Sequence, residues 1–281
     1  MKFDPAALRN GVKRAGKLAA APFVFLFGKP KGHHPVWEWL QEPVQAVLIV
    51  FVFATFVAQP FYVPSGSMQP TLAIGDAVLA NKFAYGYTIY SVPYANGPSP
   101  AHRILESMPR QGDVVVFRVP TDTKVNFVKR VIGLPGDRLQ MRGGRLWING
   151  KELPLRAAGT GEAEDGPSSV VPGMERTVGK YIETLPNGRE HPIYKRQWNG
   201  ELDDTPVFTV PAGHMFMMGD NRDDSADSRV PLEYGGFGYV PVGNLAGRAF
   251  VVLGSVDFLN AGNIFDWIGE FRLSRLVKAV K

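Results

Sequence analysis

Two short stretches carry residues that could perform acyl transfer. The first, YVPSGSMQP, presents Ser65 and Ser67 on either side of a glycine. A serine hydroxyl attacks a carbonyl only when a neighbouring base removes its proton. The second, VNFVKRVIG, contains Lys129, and a lysine at its ordinary pKa of about 10.4 is protonated and cannot act as a base. Burial disfavours the charged ammonium and lowers its pKa, so a desolvated Lys129 could be that base.

Strand alternation is compatible with such an environment for the lysine. It places Lys129 on one strand face together with Val125, Phe127 and Val131. Arg130 points to the opposite face. The ammonium would then lie between apolar neighbours, although the same pattern also fits an edge strand whose lysine reaches solvent.

The five histidines offer an alternative base for the serine. His214, in VPAGHMFMMGD, is the only one beside a motif-like stretch, so a Ser-His-Asp arrangement is the competing hypothesis. His191 precedes a proline and is predicted to lie in a turn.

A dense polar stretch, MMGDNRDDSADSR (217–229), could orient a catalytic group. Its acidic residues resemble a calcium-binding set, but their spacing departs from the EF-hand pattern. Arg222 and Arg229 also supply counter-charges within the stretch. We therefore predict a rigid, buried polar turn and no metal site.

The composition narrows the function classes. The chain has 281 residues and no cysteine, which excludes disulfides, thiolate metal sites and cysteine nucleophiles. The net charge of +5 is concentrated towards the two ends of the chain, so it does not by itself indicate a nucleic-acid partner. We expect no cofactor and no bound nucleic acid.

An uncharged apolar run lies directly before the two serines. About 20 residues cross a bilayer, so the run predicts one transmembrane helix at 44–63, with a buried core helix as the alternative. Lysines and arginines precede it. The positive-inside rule then places residues 1–43 in the cytoplasm and 64–281, the catalytic domain, outside.

The remainder of the chain indicates strands and turns. Asn149-Gly150 and Asn187-Gly188, each between strand-like runs, predict two hairpins. The small, polar stretch 157–173 predicts a surface loop. We therefore predict a mostly β catalytic core with an inserted β-rich subdomain at 147–205. The basic stretch 263–281 predicts an amphipathic helix that lies on the membrane or on the protein's own surface.

Four stretches in this order resemble the type I signal peptidases of bacteria: PSGSMQPTL, GDAVLANKFAYG, GDVVVF with FVKRVIGLPGD, and GDNRDDSADSR. The resemblance implies a signal-peptidase-like β-fold and a membrane-anchored serine endopeptidase with a Ser-Lys dyad. Such an enzyme removes signal peptides from exported preproteins by cutting after Ala-x-Ala-type sites on the outer face of the inner membrane. The implied partners are signal peptides, membrane lipid and the protein-export channel.

The resemblance also implies a role for individual residues. Ser67 would be the nucleophile and Lys129 the general base. Ser65 would complete an oxyanion hole with the Ser67 N–H, and Ser225 would hydrogen-bond Lys129. The supporting residues would be Asp220, Asp227 and Arg229. The substrate cleft would be lined by Phe61, Pro64, Met68, Leu72, Phe127 and Val128.

One departure from the family pattern concerns the base. Asp224 stands where the family usually has asparagine, and we expect it to point outward because a nearby carboxylate favours a protonated lysine. Two other functions stay open: a processing enzyme dedicated to one secretion or pilus system, and a catalytically inactive, membrane-tethered binding module. A self-cleaving repressor would need a DNA-binding domain, which residues 1–43 do not resemble.

Overall fold

A computed structural model describes residues 35–164, 177–256 and 271–281, with side chains from residue 42 onward. The described part contains one α-helix, α1 (Pro35–Phe56). Its strands are β1 (Ala58–Tyr62), β2 (Asp76–Asn81), β3 (Val114–Val119), β4 (Asp122–Gly133), β5 (Arg138–Arg142), β6 (Arg145–Ile148), β7 (Lys151–Glu152), β8 (Leu155–Glu162), β9 (Thr177–Thr184), β10 (Glu190–Lys195), β11 (Phe208–Thr209), β12 (His214–Met218), β13 (Val240–Pro241), β14 (Leu245–Ser255) and β15 (Lys278–Ala279).

The strands form one large sheet and two small ones. The large sheet has eight strands in the order β1-β2-β14-β3-β4-β12-β13, and β15 pairs with β14. The small sheets have the orders β10-β9-β8 and β11-β5-β6-β7. The predicted mostly β architecture is confirmed. Both small sheets lie between Arg138 and Thr209, a stretch wider than the predicted subdomain at 147–205, and the domain bounds themselves stay a prediction.

The central strand β3 is buried at every position, because both faces of the large sheet are covered. Val115 and Phe117 pack on one face with Val131 and Met217. Val114 packs on the other face with residues that include Met68. Strand β4 runs along β3 from Asp122 to Arg130, so this rigid core holds the strand that carries Lys129.

The predicted helix at 44–63 is wrong in its bounds. Helix α1 begins at Pro35 and ends at Phe56, and β1 follows it at once. Residues Ala58–Tyr62 pair with β2 because extended backbone there completes the edge of the large sheet. We find no helix in the described part of the chain that has the length and apolar character to cross a membrane.

Two further predictions of local structure are wrong. The stretch 157–162 belongs to strand β8, which pairs with β9, and is not a loop. From Phe271 onward the predicted amphipathic helix is absent: a single 3-10 turn, Leu273–Arg275, precedes strand β15. Pairing with β14 satisfies the backbone of this segment. Residues 263–270 lie outside the described residues, as do 165–173 and 1–34.

Both Asn-Gly hairpins are confirmed. Asn149 and Gly150 have φ values of 52° and 79° between β6 and β7, the left-handed conformation that a tight hairpin turn needs. Gly188, at φ 81°, lies in the connection between β9 and β10. Local turn chemistry therefore places these strands correctly.

Candidate active site

Ser67 lies in a single 3-10 turn, Gly66–Met68, which connects β1 to the core. Its side chain is largely buried, and Ser67 Oγ accepts a hydrogen bond from Lys129 Nζ. Ser65 Oγ lies 3.4 Å from Ser67 Oγ. The structure thus brings both serines and the lysine together across 62 residues of sequence.

Gly66 is needed because other backbone packs against the turn. A Cβ built at Gly66 would lie 2.8 Å from the Glu164 carbonyl oxygen. The Gln69 side chain joins the same contact, because its Oε1 accepts from the Glu164 N–H at 3.1 Å. The chain just after β8 is therefore packed onto the serine turn, a contact that the sequence pattern did not indicate.

Lys129 lies in β4 just before the residues that also pair with strand β12. Lys129 pairs with Val115 of β3, whereas β12 pairs only with β4 residues from Arg130 onward. The lysine is 4% exposed, and its Nζ lies 5.4 Å from the centre of the Phe127 ring. The alternative in which the Lys129 side chain reaches solvent is therefore excluded.

The charge state of Lys129 follows from this burial. Desolvation lowers the pKa of Lys129 to about 8, against the opposing effect of Asp227, Asp220 and Asp224; Arg229 lowers it further. A lysine with this pKa is substantially neutral just above neutral pH, so it can accept a proton from a hydroxyl group.

The stretch 217–229 forms the predicted buried polar turn and binds the serine turn directly. The Asn221 N–H donates to the Ser67 carbonyl oxygen at 3.1 Å, and Asn221 Nδ2 donates to the Gly66 carbonyl at 3.2 Å. A Cβ at Gly219 would collide with Ser225 Oγ and with the Ser67 carbonyl. The turn therefore holds the backbone on which Ser67 stands.

Each of the two predicted supporting aspartates is paired with an arginine. Arg229 Nε and Nη2 donate to the two Asp227 oxygens, each at 2.9 Å, and the Gly219 N–H donates at 3.0 Å. Burial alone would raise the pKa of Asp227, but Arg229 and these hydrogen bonds hold it below its ordinary value. Asp220 is bound the same way by Arg130 Nε and Nη2, at 2.8 and 2.7 Å. Arg130 was not among the predicted site residues.

Ser225 and Asp224 differ from their predictions. Ser225 Oγ is buried and has no hydrogen-bond partner in the part of the chain that the structure describes, so the predicted bond to Lys129 is not made. Asp224 was predicted to point outward, which is wrong. It is 2% exposed, lines the cleft beside Lys129 and raises the pKa of the lysine. The turn folds back on the cleft, so its middle cannot face solvent.

A cleft of about 240 Å³ opens onto Ser67 and Lys129. Four of the residues predicted to line a substrate cleft line it: Pro64, Met68, Phe127 and Val128. The other two face elsewhere. Leu72 is fully buried in the core with Met68, and Phe61 packs against a core that includes Ala80 and Val116.

Strand edges form the two long walls of the cleft. Strand β1 ends the sheet and pairs with β2 alone, and the 122–129 part of β4 pairs with β3 alone. Tyr62, Val63 and Pro64 line one wall, and Val125 to Lys129 line the other. An extended peptide between them could hydrogen-bond to exposed strand edges.

The two histidines considered above differ in environment. His214 begins β12, and its Nδ1 lies 2.9 Å from the Ala212 carbonyl oxygen. His191 was predicted to lie in a turn, which is wrong: it lies in β10, 2% exposed, within 3.2 Å of Glu183 and 3.3 Å of Asp220. The sequence signal for a buried strand position here is weak, because it consists only of His191 sharing one strand face with Ile193.

Comparisons with known proteins show which family the chain resembles. A family model described as "Signal peptidase, peptidase S26" matches residues 36–253. The signal peptidase I of Rickettsia typhi is 36% identical over 249 residues, which cover 83% of this chain and 89% of that protein. The signal peptidase I of Rickettsia akari is 38% identical over 83% and 88%.

Among solved structures, a signal peptidase I from Enterococcus faecalis V583 has 26% sequence identity and covers 50% of this chain and 97% of its own, with a TM-score of 0.28. The family match extends over most of the strands described above, including the serine turn, β4 and the polar turn. On the family model and the Rickettsia relatives, the chain belongs to the signal peptidase family, peptidase S26.

Proposed function

We propose that this hydrolase of the signal peptidase family removes signal peptides with Ser67 as nucleophile and Lys129 as general base. The observation that carries the proposal is the hydrogen bond from a buried Lys129 Nζ to Ser67 Oγ. A base in hydrogen-bond contact with a hydroxyl can take its proton as the hydroxyl attacks.

The reaction takes place in two steps. Neutral Lys129 removes the Ser67 proton while Oγ attacks the scissile carbonyl, and the resulting ammonium then protonates the leaving amine. Lys129, neutral again, next takes a proton from water, and the hydroxide attacks the acyl-enzyme ester. Collapse of that intermediate returns this proton from Lys129 to Ser67 and releases the signal peptide as a carboxylic acid, which then loses its own proton to solvent.

Ser65 is the proposed side-chain donor to the developing oxyanion. Its Oγ lies 3.4 Å from Ser67 Oγ. A substrate carbonyl attacked by Ser67 could therefore place its oxygen within hydrogen-bond distance of Ser65 Oγ. The Ser67 N–H is the second donor. Preorganised donors of this kind act where negative charge appears in the transition state.

Ser225, Asp220, Asp227 and Arg229 are proposed as positioning residues. Ser225 is in close contact with Gly219, which itself packs on the Ser67 carbonyl. Arg229 is paired with Asp227, and Arg130 is paired with Asp220. This pairing limits the influence of the two carboxylates on Lys129, which must be neutral to act.

The shape of the cleft supports the proposed specificity. A cleft of about 240 Å³ with walls that include Met68, Phe127 and Val128 suits small side chains. A substrate strand between β1 and β4 would direct alternate side chains towards Ser67. Cleavage after Ala-x-Ala is the expected preference.

We place the enzyme at the outer face of the cytoplasmic membrane, in contact with lipid. Two separate sets of exposed apolar side chains support this location. On α1, Val47 and Val50 are 69% and 66% exposed; in the 83–108 loop, Tyr94 and Leu105 are 90% and 79% exposed. Apolar surface of this kind suits a lipid interface. Flotation of purified protein with phospholipid vesicles tests the lipid contact, and Tyr94→Ser with Leu105→Ser should weaken binding.

The test of the function is cleavage of a preprotein with an Ala-x-Ala site. Ser67→Ala and Lys129→Ala should each lose about a thousandfold or more in kcat/KM. Ser107→Ala and Lys151→Ala change exposed residues of the same types and should leave activity unchanged. Loss of activity in His214→Ala with retention in Lys129→Ala would instead support a Ser-His-Asp mechanism.

A further inference from the structure

The 271–281 segment contacts the stretch 71–76, which follows the serine turn, and Arg130, the residue next to Lys129. Its strand β15 runs antiparallel to β14 and pairs with Val251 and Val252. The Val280 N–H also donates to the Phe250 carbonyl oxygen at 2.9 Å. The segment is therefore fixed to the large sheet by backbone hydrogen bonds, and its side chains are held in a defined position.

Its first contact is with the chain that follows the serine turn. Arg275 Nε donates to Asp76 Oδ1 at 2.7 Å, and Arg275 Nη2 donates to Asp76 Oδ2. Arg275 Nη2 also lies 3.3 Å from the Thr71 carbonyl oxygen. Arg272 Nη1 donates to the Ile74 carbonyl oxygen at 3.1 Å. Two arginines thus bind the stretch 71–76 at three residues.

The carboxylate of Asp76 closes the turn on this stretch. Its Oδ2 accepts from the Ala73 N–H at 2.9 Å, and the side chain is fully buried. The Leu72 N–H in turn donates to the Met68 carbonyl oxygen at 2.9 Å, next to Ser67. A buried carboxylate without its cation is unfavourable, so loss of Arg275 would force Asp76 and the turn to rearrange.

The second contact is with the residue beside Lys129. Arg130 Nη2 donates to the Lys281 carbonyl oxygen at 3.0 Å. The same guanidinium binds Asp220, and Thr71 Oγ1 donates to Asp220 Oδ2 at 2.5 Å. One end of the segment therefore contacts β4 next to the base, and the other contacts the chain next to the nucleophile.

We propose that the 271–281 segment positions Ser67 relative to Lys129, with Arg275 as its principal positioning residue. The proposal rests on the proposed Ser67–Lys129 function. The relative placement of two reacting groups strongly affects rate, and a displacement of about 1 Å costs up to roughly a hundredfold. The substrate cleft has none of these residues in its walls. Loss of the contact should therefore lower kcat and leave KM nearly unchanged.

The experiment compares Arg275→Gln, Arg275→Lys and the control Arg145→Gln in the full chain. Arg145 also pairs with a carboxylate, Glu152, but the pair is exposed and far from the serine turn in the chain. We expect kcat of Arg275→Gln to fall about 10- to 100-fold per folded enzyme, with KM within about twofold, and Arg275→Lys to recover part of it. Arg145→Gln should match the unsubstituted enzyme.

A second variant covers the case in which Arg275→Gln does not fold. Val280→Pro removes the N–H that donates to the Phe250 carbonyl oxygen, so it loosens the contact of β15 with β14 and leaves Asp76 unchanged. In this variant kcat should fall with KM unchanged. Unchanged kcat per folded enzyme in the folded variants, with Ser67→Ala inactive, would overturn the positioning role alone. Activity of Ser67→Ala would instead overturn the proposed function.

Discussion

At the residue scale, Lys129 differs from a surface lysine in both solvation and hydrogen bonding. It is buried between β3 and the cleft, and its Nζ is bonded to Ser67 Oγ. Burial lowers its pKa to about 8, so the fraction of neutral lysine increases as the pH rises through that value. The same residue type can thus act as a base here and not on the surface.

The first prediction concerns the pH dependence of activity. In the proposed mechanism only neutral Lys129 can take the Ser67 proton, so kcat/KM should rise with pH and level off above about 8. The measurement is kcat/KM for preprotein cleavage between pH 6 and 10. A maximum at acidic pH would contradict a lysine base.

The second prediction concerns Asp224. Its carboxylate lines the cleft and raises the pKa of Lys129, so Asp224→Asn should lower that pKa and move the midpoint of the kcat/KM profile to lower pH. The exposed carboxylate of Asp204 provides a matched control, Asp204→Asn, whose profile should not move. A midpoint that stays in place in Asp224→Asn would show that this carboxylate does not affect the base.

At the scale of elements, buried charges join the β9–β10 hairpin to the polar turn. Arg222 Nη1 and Nη2 donate to the two carboxylate oxygens of Glu183, at 2.9 and 2.5 Å. His191 lies between Glu183 and Asp220. The Tyr194 N–H also donates to the Asp220 carbonyl. The hairpin therefore acts as a support for the turn that holds the Ser67 backbone.

The third prediction tests this support. Glu183→Gln leaves Arg222 buried without its counter-charge, which should lower the free energy of unfolding by about 3–5 kcal/mol. The matched control, Glu152→Gln, breaks the exposed pair with Arg145 and should cost less than about 1 kcal/mol. Urea denaturation measures both, and equal small losses would contradict a supporting role.

The pH dependence of that contribution has a definite sign. Burial raises the pKa of Glu183, but Arg222 and His191 outweigh it and lower the pKa to about 2. A depressed carboxyl pKa stabilises the fold above the ordinary value of about 4.5, and the stabilisation is lost as pH falls towards 2. The difference between the original chain and Glu183→Gln should therefore shrink in acid.

At the scale of the whole molecule, the proposed catalytic base has a cost in stability. The pKa of Lys129 is lowered from 10.5 to about 8 on folding, so below pH 8 the fold must hold a charge that burial disfavours. This cost is fully present below about 8 and disappears as pH rises above the ordinary value. Function and stability are therefore opposed at this site.

The fourth prediction follows from this opposition. Lys129→Met should be inactive, yet more stable than the original chain by about 1–3 kcal/mol at pH 7. The gain should diminish at pH 10, where the lysine is neutral in the folded chain. Urea denaturation at both pH values measures this difference. If Lys129→Met were less stable than the original chain at pH 7, the buried lysine would not be a cost to stability.

Local patterns were enough for part of this protein. The Asn-Gly turns, the strand that carries Lys129 and the polar turn at 217–229 depend on residues close in sequence, and these predictions hold. Local patterns also indicate Ser67 and Lys129 as candidates, in agreement with the resemblance. The contact between them spans 62 residues, which no local pattern could establish.

The sequence by itself determined which residues can do chemistry here and which short segments turn or extend, because hydroxyl, amine and Asn-Gly chemistry are properties of the residues themselves. The tertiary structure alone decided what each group experiences. Helix α1 ends at Phe56, and the chain after it pairs with β2. Asp224 faces the cleft because its turn folds inward, and His191 lies buried between two carboxylates. Desolvation and long-range pairing depend on neighbours distant in the chain, and for that reason the pKa of Lys129 is a property of the fold.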